Sequence, residues 1–147
     1  MKLPAALKKP DLMLKHFDYI VLTVSDIKAS VVFYTRVLQM RAHSFGDGRK
    51  AVCFGMQKIN LCVAGQEPRN NATTGSGDLC LITTWTPNRL PDHLRTQCVE
   101  VLEYPVAKSG ALGPIISIYF NDPDENLIEV VVTKGMPREH GKMYFTN

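Results

Sequence analysis

One order of elements occurs twice in this chain, and no other feature of the sequence limits the fold as strongly. Residues 17–64 and residues 78–133 each read strand, helix, strand, strand, strand. The first copy opens on the apolar, β-branched run Phe17–Val24. Ser25 or Asp26 then offers a side-chain oxygen to the orphan donors of a helix start. Ile27, Val31, Tyr34 and Leu38 recur at three- and four-residue spacing, which predicts a helix to about Leu38 with one apolar face. Gly46-Asp47-Gly48 joins Arg41–Phe45 to Lys50–Phe54 as a hairpin, and Ile59–Ala64 closes the copy as a strand. The second copy places strands at Asp78–Thr83, near Val101–Ala107, at Ile115–Phe120 and at Leu127–Val132, with a helix over Leu90–Cys98 that tolerates Pro91 in its first turn. A polar linker over residues 66–77 separates the copies, and Lys108–Pro114 reads as a glycine-rich loop.

Half of such a chain cannot bury both faces of its own sheet, whereas two halves can. The expected fold is therefore α+β: two tandem βαβββ modules forming a shared, curved mixed sheet around a cavity, with helices outside. One domain over residues 16–133 follows, with module one at 16–65 and module two at 78–133. An arm (1–15) and a polar tail (134–147) flank it, and the tail carries the cluster Met143-Tyr144-Phe145.

At 147 residues the chain has room for one sizeable core. Its net charge of +3 is scattered, which argues against nucleic acid or a membrane surface as partner. No apolar run is long enough to span a bilayer. The arm has Lys2, Lys8, Lys9 and Lys15 against Asp11, but no arginine or serine; it reads as a ragged extension, with mitochondrial targeting as the alternative. Cys53, Cys62, Cys80 and Cys98 have neither zinc-knuckle nor thioredoxin spacing. Cys53, Cys80 and Cys98 read as buried reduced thiols, and a reducing, cytoplasmic compartment follows.

The most unusual residue is Glu129. Asn121-Asp-Pro-Asp-Glu-Asn126 is turn chemistry, and Leu127–Val132 is a buried-strand pattern with this one carboxylate inside it. A carboxylate buried alone costs several kcal/mol, so Glu129 is paired, protonated, metal-bound or facing a cavity. An edge-exposed glutamate, or one paired with a lysine, is the plainer alternative. Aligning the copies at Leu22 and Leu81 sets Tyr19 opposite Asp78; aligning the last strands at Val63 and Val130 sets Cys62 opposite Glu129.

Four stretches carry a resemblance: Phe17-Asp-Tyr-Ile-Val-Leu-Thr-Val24, Val32-Phe-Tyr34 with Val37-Leu38, Gly113-Pro-Ile-Ile-Ser-Ile-Tyr-Phe120, and Asp122-Pro-Asp with Asn126-Leu-Ile-Glu129. The chain resembles the vicinal oxygen chelate superfamily of glyoxalases, extradiol dioxygenases and bleomycin-resistance proteins over residues 16–133. That resemblance implies a divalent metal (zinc, manganese, nickel or magnesium) held by the first and last strands of each module, with Glu129, Asp78, Cys62 and Tyr19 as its ligands. Such a metal would act as a Lewis acid. Only Glu129 is the family's usual residue at its position. Tyr19 is a ligand or an aromatic wall, Cys62 a ligand or apolar filler, and Asp78 a ligand or the end of a turn.

No histidine occupies any of these positions. His16, His43, His93 and His140 read as surface or packing residues. The implied metal site is thus altered. Two functions stay open: a glyoxalase-type lyase or isomerase with Glu129 as ligand and general base, or a metal-free small-molecule binder of the bleomycin-resistance type with the loop Lys108–Pro114 as its gate. Either admits a monomer or a homodimer.

Overall fold

The computed structural model describes residues 13–133; most of the arm and the whole tail, with His140 and Met143-Tyr144-Phe145, lie outside the described residues. The elements are β1 (Tyr19–Thr23), α1 (Ile27–Val37), β2 (Arg41–Phe45), β3 (Arg49–Phe54), β4 (Gln57–Cys62), β5 (Asp78–Ile82), α2 (Arg89–Thr96), β6 (Glu103–Gly110), β7 (Gly113–Asn121) and β8 (Leu127–Thr133). Asp26 holds an extended backbone and accepts a hydrogen bond from the Ala29 amide at 3.0 Å, so it starts α1 and contributes about 1 kcal/mol. Gln39, at φ 55°, turns the chain out of that helix into β2.

The strands form two four-stranded mixed sheets, ordered β1-β4-β3-β2 and β5-β8-β7-β6. This is the α+β arrangement of tandem modules, with one sheet to each module. In both, the first and last strands of the module lie parallel at the sheet's side, and the hairpins run antiparallel.

Strand alternation gives each sheet two unlike faces. Leu22, Val52, Ile59 and Leu61 of the first sheet and Ile118, Phe120, Ile128 and Val130 of the second join Phe33, Tyr34, Val37, Leu90 and Leu94 in a single core. Each such side chain contributes about 1.5–3 kcal/mol by leaving water. The two modules are therefore fused through their helices and apolar sheet faces.

Polar bonds fix that fusion. Asp122 accepts the Tyr34 hydroxyl at 2.8 Å, the amides of Asp124 and Asn126 at 2.9 Å each, and the Asn126 side-chain amide at 2.9 Å. Asn126 in turn accepts the Gly77 amide at 2.7 Å, which ties the end of the linker to β8. Asp124 binds the backbone and hydroxyl of Ser25, between β1 and α1 of module one. Arg36 donates to the Gln97 carbonyl at 2.7 Å, and His93 donates from Nε2 to the Val37 carbonyl at 2.8 Å. The turn motif before Glu129 is thus the clamp between modules.

Three expectations need correction. Residues 108–114 are no gating loop: β6 and β7 run on to a tight hairpin that pairs Gly110 with Gly113. Cys80 and Cys98 are exposed, because Cys80 lies on the outer face of β5 and Cys98 follows α2 in a turn at φ 56°. The pairing of Cys62 with Glu129 shifts by two residues. With Tyr19 and Asp78 equivalent, Val21 pairs with Asn60 while Cys80 pairs with Glu129. Asn60 is therefore the module-one counterpart of Glu129, and Cys62 that of Val131.

Candidate functional site

Each sheet turns its second face away from the helices, and the unusual side chains sit there. On the second sheet, register places Cys80, Glu129 and Tyr119 side by side on β5, β8 and β7. Glu129 is half-buried. Its Oε1 accepts the Ser117 hydroxyl at 2.5 Å, and the Tyr119 hydroxyl bonds the same carboxylate. Burial, and next the hydrogen bond to Glu129, push the Tyr119 phenol above its ordinary value. The carboxylate is therefore not buried alone, and no ion pair among the described residues involves it. Two hydroxyls orient it, and charge-assisted bonds of this kind are about twice as strong as neutral ones.

The first sheet carries different chemistry at equivalent places. Asn60 stands where the second sheet has Glu129, and its Oδ1 is buried with no hydrogen-bond partner among the described residues. Tyr19, 48% exposed, opens β1 beside Lys58, whose Nζ lies 5.2 Å from the Tyr19 ring centroid and 4.0 Å from that of Phe45. Arg49 lies 4.8 Å from the same Phe45 ring, on which His43 stacks at 5.9 Å. Exposed cation–π contacts of this sort contribute about 0.5–1 kcal/mol each.

The four residues expected as ligands are divided between the two sheets. Tyr19 and Cys62 belong to the first sheet, Asp78 and Glu129 to the second. Cys62 is buried, with the Thr23 hydroxyl and the Asn70 amide each 3.9 Å from its sulfur. Asp78 is exposed at the first position of β5. Among the described residues, no three of His, Cys, Asp and Glu come together in a group that could hold a metal ion. The donor set fits a divalent ion poorly on chemical grounds as well. Register makes a neutral amide the counterpart of Glu129, and the tyrosine position is flanked by an ammonium that opposes a cation.

Two partly open cavities lie elsewhere. One of about 190 Å³ is lined by Phe33, Val99, Leu102 and Asp122; one of about 150 Å³ lies between the modules, lined by Val37, Met40, Phe54, Trp85 and Leu90. Both are below the roughly 300–1,000 Å³ of a typical small-molecule pocket, and neither touches Glu129. The accessible chemistry is on the open sheet faces.

Ser117, Tyr119, Asn60 and Lys58 were not singled out from sequence. Their signal was present: each is a polar or ionisable group at alternate positions of an otherwise apolar strand, in Ile116–Phe120 and in Lys58–Leu61. Which alternate face was the open one had to come from the sheet register.

Residues 16–130 match the glyoxalase/bleomycin resistance protein/dioxygenase superfamily. The virulence protein STM3117 of Salmonella typhimurium is 43% identical over 122 residues, covering 81% of this chain and 85% of that protein. The solved VPC_CASS1 protein from the mobile metagenome of V. Pseudocholerae superposes with a TM-score of 0.80 at 46% identity, covering 84% of this chain and 98% of that one. TnmS3, an antibiotic binding protein from Streptomyces sp. CB03234, shares the fold at 19% identity and a TM-score of 0.65, over 82% of this chain and 98% of that one. The chain belongs to the glyoxalase/bleomycin resistance protein/dioxygenase superfamily.

Proposed function

We propose, from that membership, that this glyoxalase-domain protein binds a small organic molecule on its open sheet faces without a resident metal ion. The observation that carries the reading is the register equivalence of Asn60 with Glu129. It leaves one carboxylate, held by Ser117 and Tyr119, on the open face of the second sheet, and an amide near a lysine on that of the first. Those groups recognise polar atoms of an organic ligand well and a divalent cation badly. The antibiotic-binding TnmS3 supports the reading by showing that this fold accommodates a binder. The finer likeness, to glyoxalase domain-containing protein 5, rests on Arg49-Lys-Ala-Val-Cys-Phe-Gly55, Asp78-Leu-Cys-Leu-Ile-Thr83 and Gly113–Phe120. A cytosolic location goes with four cysteines that form no disulfide.

The test is thermal denaturation against a panel of aromatic acids and antibiotics in EDTA. At least one compound is expected to raise the midpoint with no metal present. A need for added zinc, manganese, nickel or magnesium in every stabilising case would overturn the reading.

A second reading, proton transfer by a lyase or isomerase, is favoured by Glu129 alone. A carboxylate oriented by two hydroxyls on an accessible face is a competent general base. Substrate-dependent proton exchange that Glu129→Gln abolishes, with binding retained, would establish it.

A further inference from the structure

The open face of the first sheet gathers positive charge that no ion pair among the described residues offsets. Arg41, Arg49 and Lys58 all stand on it, and the ion pairs among the described residues involve none of them. Arg49 and Lys58 instead converge on the single ring of Phe45, at 4.8 and 4.0 Å from its centroid. A ring face attracts a cation but does not neutralise it, and two like charges drawn to one ring repel each other. An anion between them would relieve that repulsion. Tyr19 stands on the other side of Lys58, so the cation lies between two aromatic walls.

A second observation, independent of charge, points to the same place. Asn60 follows Lys58 by two residues on the same face of β4, and its buried Oδ1 accepts no hydrogen bond among the described residues. A buried acceptor left unpaired is costly, so such atoms usually meet a partner. Here the partner would have to be a donor on the ligand.

We propose that this face is the binding site for an organic anion with an aromatic body and a hydroxyl group. The acid group lies between Lys58 and Arg49, the ring system packs against Tyr19 and Phe45, and the hydroxyl donates to Asn60 Oδ1. A carboxylate accepts from an ammonium and a guanidinium together, and a flat ring stacks on either wall. This assignment rests on metal-independent binding and adds the ligand class to it.

The experiment compares 6-hydroxy-2-naphthoate with 6-hydroxy-2-naphthamide, which differ only in charge at the acid position. Affinities are measured by calorimetry in EDTA at neutral pH. The acid is expected to bind about tenfold tighter or more, as charge-assisted bonds exceed neutral ones, and the preference should shrink as salt is raised. Lys58→Met combined with Arg49→Met should bring the ratio to one. Lys58→Arg should keep it, and Lys28→Met, on the exposed side of α1, should leave it unchanged. Equal affinity of acid and amide for the unaltered protein would overturn the anion site while leaving metal-independent binding intact. Acid binding that appears only with added metal would take down both. If the counter-charge is a carboxylate of a second copy, the double variant will shift sedimentation from dimer to monomer while acid and amide bind alike, and the anion site is overturned.

Discussion

The two modules share a backbone plan and differ in what they present on it. Both sheets have the same strand order, and both pair their first and last strands in parallel in the same register. On the helix-facing side the side chains are interchangeable in kind: Leu22, Ile59 and Leu61 in one, Leu81, Ile128 and Val130 in the other. On the open side they are not. The first sheet shows Arg41, Arg49, Lys58 and Asn60, whose Oδ1 has no hydrogen-bond partner among the described residues, amid aromatic rings. The second shows Glu129 with Ser117 and Tyr119. Packing constrains one parity of each strand to be apolar, and leaves the other parity to chemistry. Their turns diverge too: the β3–β4 connection is the exposed Gly55-Met56, whereas the β7–β8 connection is the buried clamp around Asp122.

That last contrast gives the largest expected effect. Asp122→Ala would strand the Tyr34 hydroxyl and the Asp124 and Asn126 amides, so it should cost about 3 kcal/mol or more in urea unfolding. Met56→Ala at the corresponding turn should cost almost nothing, since its side chain is exposed. Similar losses at both turns would break the contrast.

Gly77→Ala comes next. An added Cβ would lie 2.6 Å from Leu22 Cδ1 and 2.8 Å from Asn126 Oδ1, so it must push either the core or the clamp. A loss of about 1–3 kcal/mol is expected, read as a lowered thermal midpoint. An unchanged midpoint would mean that the linker end is not clamped to β8.

A smaller effect tests the open face of the second sheet. Glu129→Gln should cost about 1 kcal/mol of stability, because an amide replaces a charged acceptor of two hydroxyls. It should also bring the Tyr119 phenol back toward its ordinary value near 10, since the carboxylate helps to raise it. Absorbance titration of the phenolate, with Tyr119→Phe to assign the signal, checks this. Tyr34 provides the contrast: burial first, then Asp122, drives its phenol up beyond the alkaline range. It should ionise only as the protein unfolds. A raised phenol stabilises the folded state below its ordinary pKa, and that contribution is lost only as pH climbs through the folded value.

The smallest effect lies in the linker. Arg69 hydrogen-bonds Glu67 and holds its carboxyl at about 2, below its ordinary value of 4.5. Any stabilisation is present above that ordinary value and fades as pH falls toward about 2. Solvent screens this exposed pair, so Glu67→Gln should leave the neutral-pH midpoint unchanged within error. A clear drop would show that the linker contributes to joining the modules.

The sequence by itself determined the repeat, the fold class and most element positions. Those follow from local pattern: Ile27, Val31, Tyr34 and Leu38 can share a face only on a helix, and the short apolar, β-branched run at Tyr19–Thr23 suits a strand. It also marked Glu129 as a residue needing an explanation. What it left undetermined was register and partnership. Without a ladder, the last strand of module one could slide by two residues against its equivalent without changing parity, and so Cys62 took the place of Asn60. The same limit hid the clamp, whose bonds join residues up to 99 positions apart. It also hid the role of residues 108–114, where glycines suited a loop and a hairpin alike. Only the tertiary structure decided these matters, because a side chain's type is local whereas its hydrogen-bond partner is set by which strand lies alongside.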